Sequence, residues 1–209
     1  NFGISVSNLG DLNNDGIQDI AVGESQNDDG GTDNGAVWIL FLNTSGGVKS
    51  EYKINSSRFG NGSELSGNSF GSSVTNLGDL DNDNITDIAV GEYLNDDGGT
   101  DNGAAWILFL NTTGGVKSSF KINSSRFGNG SELSGDNFGI SVSNLGDLNN
   151  DGIQDIAVGE YLNDDGGTSN GAVWILFLNR SEIAADTTPP SVTSLTEDPS
   201  DPAIYSLNA

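Results

Sequence analysis

Phe2–Leu12 reads "FGISVSNLGDL", Phe70–Leu80 reads "FGSSVTNLGDL", and Phe138–Leu148 reads "FGISVSNLGDL" again, so one stretch returns twice at a spacing of 68 residues. A fixed period of this length marks a repeat architecture, in which each unit leaves an apolar face that only a neighbouring unit covers. Inside each unit the apolar segments are short and divided by Gly, Asn and Asp clusters, which is the pattern of strands and turns. The chain is therefore expected to be all-β, with three repeats over 1–68, 69–136 and 137–180 and a separate tail over 181–209.

Four strands fit in each unit. "FGISVSNL" alternates in part, "DIAVG" is short and apolar, and "GAVWILFL" (Gly35–Leu42) is continuously apolar, as a strand covered on both faces should be. The fourth, "VKSEYKI", alternates, and with its second copy it carries all the lysines of the chain, Lys49, Lys53, Lys117 and Lys121. Lysine guards exposed strand edges against pairing, so this strand is expected at the outer edge. Apolar inner strands and a charged outer one describe antiparallel blades of the β-propeller type. The third copy lacks the "GGVK" strand; Thr187–Pro190 reads as a stiff linker, Pro199 and Pro202 argue against a central strand nearby, and the tail is expected to enter a following domain or supply an exchanged strand. Three blades are too few to close a ring, which generally takes about four to eight. The uncovered faces are expected to meet further blades of a longer chain or copies of the same chain.

"DLNNDGIQD" (11–19) places Asp11, Asn13, Asp15, Ile17 and Asp19 at alternate positions. A hard divalent cation needs six to eight oxygens, and a loop folded round it turns alternate side chains inward, with one backbone carbonyl from the seventh position. The sixth position needs a turn with positive φ, and Gly16, Asn84 and Gly152 stand there. An EF-hand would place a bidentate Glu at position twelve, where Val22, Val90 and Val158 stand, so the ninth-position Asp must close the shell and a β-hairpin must carry the loop. Asn, Asp and Gly are also ordinary turn residues, but three occurrences of the full spacing favour metal. About three calcium ions are expected, one per repeat; zinc is disfavoured because the chain has no His or Cys. No lysine is expected near the loop carboxylates, so the cation is expected to be what relieves their repulsion.

The combination of "FGISV", "LGDLNNDGIQDIAVGE" and "GAVWILFL" resembles the FG-GAP repeat family, the calcium-loop blades of integrin α-subunit propellers and of microbial surface proteins. The resemblance covers residues 1 to about 180. It implies propeller blades with calcium held in the hairpin between the first two strands of each. The implied ligands are Asp11, Asn13, Asp15, Ile17 and Asp19, then Asp79, Asp81, Asp83, Ile85 and Asp87, then Asp147, Asn149, Asp151, Ile153 and Asp155. "VGE" stands where the family has its GAP triplet, which weakens any transfer of ligand specificity.

Composition excludes several classes of function. With 30 acidic and 7 basic residues the net charge is −23, which repels nucleic acid and anionic lipid. No stretch approaches the roughly 20 apolar residues of a membrane span. Common nucleophile–base arrangements lack their His and Cys, and every acidic cluster is triplicated where a catalytic site is normally single, so an enzyme is not expected. The expected function is a non-enzymatic, calcium-binding, extracellular structural or adhesive repeat, a cell-surface scaffold or filament subunit; the alternative is a carbohydrate- or protein-binding propeller module. "NDDGGTDNG" (27–35) is read as a solvated loop in preference to a second cation site, and Trp38, Trp106 and Trp174 as core. Sequons stand at Asn43, Asn55, Asn61, Asn111, Asn123, Asn129 and Asn179, with Asn55, Asn61, Asn123 and Asn129 foremost; another, at Asn84, lies inside a metal loop and should be spared.

Overall fold

A computed structural model describes residues 1–57, 65, 67–126, 133, 135–164 and 168–183, with the backbone of 194–197 and 205–208. The first unit is an antiparallel meander of β1 (Phe2–Gly10), β2 (Asp19–Glu24), β3 (Ala36–Leu42) and β4 (Val48–Asn55), hydrogen-bonded in that order. The second repeats it with β5 (Ser73–Gly78), β6 (Asp87–Glu92), β7 (Ala104–Leu110) and β8 (Val116–Asn123). The third has β9 (Phe138–Gly146), β10 (Asp155–Glu160) and β11 (Ala172–Leu176), followed by the one-turn helix α1 (Arg180–Ile183). The fourth place in this sheet is taken from the tail: β12 (Ser194–Glu197) and β13 (Tyr205–Asn208) form a hairpin, and β13 lies parallel to β11. The three sheets stack as an open series that does not close on itself.

The core lies between sheets. In β7 the alternation is complete: Trp106, Leu108 and Leu110 join Leu9, Ala21, Val37 and Ile39 of the first sheet. Ala105, Ile107 and Phe109 on its other face join Val142, Ile156, Val158 and Trp174 of the third. This explains an unbroken apolar run in a strand, since both faces of the middle sheet are covered. The end faces are not. Phe2 and Val6 are 58% and 60% exposed, where their counterparts Phe70 and Val74 are 0% and 6% exposed. At the other end Val173 is 50% exposed, whereas its counterpart Val37 is fully buried. Trp106 and Trp174 are core, as expected, but Trp38 is only half-buried, since none of the described sheets covers its face.

Adjacent sheets touch through backbone. Gly35 bridges to Phe70 in parallel, and Phe70 N–H donates to the Asn34 carbonyl at 3.2 Å. A Cβ on Gly23 would fall 2.0 Å from the Gly71 oxygen, and one on Gly91 would fall 2.0 Å from the Gly139 oxygen. The glycines of "FG" and "VGE" are therefore one device, the contact by which the start of one blade lies on the second strand of the blade before it.

The lysines depart from the expected exposed edge. β4 and β8 are the outermost strands of their sheets, but Lys53 and Lys121 turn inward, with ammonium groups 4.7 and 4.8 Å from the ring centres of Trp38 and Trp106. A bulge near the start of each outer strand breaks the alternation: Leu42 pairs with Val48 and Phe41 with Ser50, leaving Lys49 as the extra residue, and Lys117 is the extra residue of β8.

Gly91→Ala is expected to cost about 1–3 kcal/mol, because its Cβ meets backbone that cannot move aside. Gly159→Ala meets only the Ser141 hydroxyl and should cost less than about 1 kcal/mol. Urea unfolding of the two variants checks this: equal losses would mean the glycines serve something other than blade contact.

Candidate metal centre

The three acidic loops connect β1 to β2, β5 to β6 and β9 to β10, and they are built alike. In the first, both oxygens of Asp11 accept backbone N–H groups, from Asp15 at 2.9 Å and Gly16 at 2.7 Å, while Asp15 Oδ1 accepts from Ile17 N–H at 3.0 Å. Asp79 and Asp83, and Asp147 and Asp151, repeat these bonds at 2.7–3.1 Å. The carboxylates at positions 1 and 5 thus curl the chain around themselves. Gly16, Asn84 and Gly152 take φ of 87°, 64° and 87°; the fourth-position Asn14, Asn82 and Asn150 also have positive φ, near 60°. Asparagine tolerates that region better than most residues, and this second left-handed position was readable from the invariable Asn of the three copies.

The ninth-position aspartates are placed differently from the rest. Asp19, Asp87 and Asp155 are wholly buried. Each accepts one N–H from the loop, Leu12, Leu80 or Leu148 at 2.9–3.1 Å, and one from beyond the third strand's outer end or at it, Leu42, Leu110 or Leu178 at 3.0–3.1 Å. Burial pushes the Asp87 carboxyl up to about 7 against these two donors, and raises Asp155 as well. The ninth position was read only as a ligand; it is also the pin that fastens the loop to the sheet. A carboxylate has about four lone-pair sites, so two backbone bonds leave capacity for a cation.

Two observations test whether the loops suit a hard cation. Carboxylate oxygens of Asp79, Asp81 and Asp87 lie within 4.8 Å of one another. A cationic group also already sits at two of the loops: Lys49 Nζ is 2.9 Å from Asp15 Oδ2, and Lys117 Nζ is 2.9 Å from Asp81 Oδ2 and bonded to Asp83 as well. The donor set is all oxygen and attracts positive charge, so it fits. The expectation that no lysine lies near these carboxylates is thereby corrected: sequence distance hid a contact that the bulged outer strand makes. The Lys49 hydrogen bond holds the Asp15 carboxyl below its ordinary range. At Asp83 partial burial pushes upward, but Lys117 and the Ile85 N–H outweigh it and the group titrates below its ordinary value.

Two of the foremost sequons stand in packed surroundings. Asn55 and Asn123 are buried, and their amide nitrogens donate to Asp29 and Asp97 at 3.2 and 2.8 Å, so neither offers a free nitrogen to a glycan in the folded chain. Asn61 and Asn129 lie outside the described residues. Asn43 is an exposed turn residue whose side chain accepts from Ser45 and Gly47; Asn111 closes the equivalent turn, and Asn179 is half-buried.

Fold and loops define a class, an open stack of propeller-type blades with an oxygen-rich hairpin loop in each. The family profile described as FG-GAP repeat matches residues 2–40, 70–108 and 138–176, more than half of the chain, and the chain belongs to that family. It is similar to integrin alpha-4 of Xenopus laevis, 34% identical over 165 residues, covering 78% of this chain and 14% of that protein. Integrin alpha-3 of Cricetulus griseus and of Mus musculus are each 34% identical over 125 residues, 60% of this chain and 11% of theirs. The chain thus spans about one seventh or less of the length of these relatives.

The glutamate of "VGE", where the chain departs from the family triplet, has its own work. Glu92 is fully buried, and its Oε2 accepts from Trp106 Nε1 at 2.7 Å and Asn95 Nδ2 at 3.1 Å, with Lys121 Nζ at 3.7 Å. Trp38 and Glu24, and Trp174 and Glu160, repeat the indole bond at 2.8 and 2.7 Å. The "NDDGGTDNG" loop closes on this network. Asp29 and Asp97 take the Lys53 and Lys121 ammonium groups at 2.6 Å, while Asp28 and Asp96 accept backbone N–H of their own loop.

Burial pushes the Glu92 carboxyl up to about 7, with Lys121 and the indole N–H working the other way. The folded chain therefore keeps this proton between about 4.5, its ordinary value, and 7, where the unfolded chain loses it. The stability it contributes is complete below that window and declines as pH rises through it. In chelator, Glu92→Gln is expected to flatten the fall in urea midpoint across the window; a variant with the slope of the parent would show that other groups set it.

Proposed function

We propose that the chain is a non-enzymatic, adhesion-type repeat module of a cell-surface protein, stiffened by about three calcium ions. The observation that carries this is the triplicated loop: the same all-oxygen donor set recurs with the same internal bonds, and two of the three copies already hold an ammonium group. The first site would be made by Asp11, Asn13, Asp15, Asp19 and the Ile17 carbonyl. The second would use Asp79, Asp81, Asp83, Asp87 and the Ile85 carbonyl, and the third Asp147, Asn149, Asp151, Asp155 and the Ile153 carbonyl. Bound calcium would offset the repulsion within each loop and, through the ninth-position aspartate, tie the hairpin to the sheet end. The integrin relatives support an adhesive role. No helix among the described residues is long and apolar enough to cross a membrane.

The end faces complete the reading. The face carrying Phe2, Ile4 and Val6 is the one that in the second and third units is covered by the preceding blade. Its occupant is the trailing face of another blade of the same repeat, seated as the first sheet seats on the second. A second reading, binding of a carbohydrate or protein at the loops, has one observation in its favour: a groove of about 520 Å³ between the second and third loops, bordered by Asn76, Asp79, Asn144 and Gln154.

Calorimetry is expected to find about three calcium ions per chain and about two in Asp79→Ala. Each site should add about 2.7 kcal/mol of stability when calcium is one hundred times its dissociation constant. Identical thermal melts in calcium and in chelator would sink the metal reading. In sedimentation velocity the 209-residue chain is expected to associate end to end, and Val6→Asp to shift it to monomer; a compact monomer of the parent chain would refute the blade-completing face.

A further inference from the structure

The first two loops differ from the third in one respect. Lys49 and Lys117 are the bulged residues of their strands, and a bulge re-aims a side chain at the cost of ladder pairing. Here it re-aims both ammonium groups onto the neighbouring loop. Asp15 Oδ1 is committed to the Ile17 N–H, so Oδ2 is the oxygen left to face outward, and that is where Lys49 sits. Lys117 spans Asp81 and Asp83, the third and fifth positions. In the third unit "NRSEI" replaces "NTSGGVK", the chain turns into α1, and among the described residues no ion pair reaches the third loop. Asp151 Oδ2 is met by the Asn149 amide at 3.1 Å, as Asp15 Oδ2 is by the Asn13 amide at 3.3 Å, but among the described residues no ammonium group stands beside it. An exposed ion pair adds little stability, so stability alone is a poor reason for a bulge at each lysine.

Resting on the calcium reading above, we propose that Lys49 and Lys117 are tethered counter-ions that occupy the first two loops until a divalent cation displaces them, while the third loop fills without a competitor. The lysines neutralise part of each empty loop and so hold its shape. A cation reaching the fifth-position oxygen must expel the ammonium group, so the apparent affinity is the intrinsic one multiplied by the fraction of time the loop is free of it. The three sites consequently form two classes, with the third loop filling first. The long exposed stem of Lys49, 59% accessible, leaves it free to swing into solvent.

The test is amine acylation of the 209-residue chain with an acetylating ester, read residue by residue by mass spectrometry, in chelator and then in calcium. Acylation of Lys49 and Lys117 is expected to rise several-fold on adding calcium. Lys53 and Lys121, paired outside the loops with Asp29 and Asp97, should be unchanged. Calorimetry with calcium runs alongside. Lys49→Met and Lys117→Met should each tighten their own site by at least about fivefold, the factor one unit charge contributes at roughly 4 Å in water, merging the two classes. Calcium uptake with unchanged acylation of Lys49 and Lys117 would overturn the counter-ion role and leave the calcium reading standing. Absence of calcium uptake would overturn that reading and the inference with it.

Discussion

A four-stranded sheet that is apolar on both faces cannot hide both by itself, and everything else in this chain follows from that constraint. Each large side chain moved out of water contributes about 1.5–3 kcal/mol. The middle sheet collects that gain on two sides through Trp106, Leu108 and Leu110 toward one neighbour and Ala105, Ile107 and Phe109 toward the other. The sheets must then come close enough for their backbones to touch, which is why glycine stands at Gly23, Gly71 and Gly91. Stacking fixes the position of each hairpin loop, because the strands that form the loop are the ones buried in the stack.

The loops set charge against that ordering. Seven basic residues cannot balance 30 acidic ones, and the arrangement assigns the four lysines to fixed places. Lys53 and Lys121 lie over indole rings beside the half-buried Glu24 and the buried Glu92, where a cation has both a π face and a carboxylate. Lys49 and Lys117 go to the loops. The sequence of the third unit contains neither kind.

The period, the four-strand meander and the loop spacing were legible because each is local: alternation, turn residues and alternate-position carboxylates are properties of neighbouring residues. What was not legible is set by contacts across the sheet. Nothing in "VKSEYKI" announces the bulge at Lys49, since the strand alternates cleanly on paper and only its pairing with Phe41 and Leu42 shows the extra residue. Asn55 looks like any exposed sequon until its amide is seen to face Asp29. The left-handed Asn14, Asn82 and Asn150 could have been found, because the same residue type stands at the fourth position of all three loops.

The buried ninth-position aspartate joins the two halves of this structure. Asp87 touches the loop through Leu80 and the end of β7 through Leu110, and Leu110 is the residue that pairs across from the bulge carrying Lys117. One carboxylate thus bonds the loop and the strand position that sets the lysine. Its burial keeps that link short and rigid, since a group with both oxygens held by backbone N–H has no rotamer to escape to. The loop, the buried aspartate and the end of the third strand opposite the bulged lysine are therefore hydrogen-bonded into one arrangement in the first two units, while the sequence of the third unit carries no lysine.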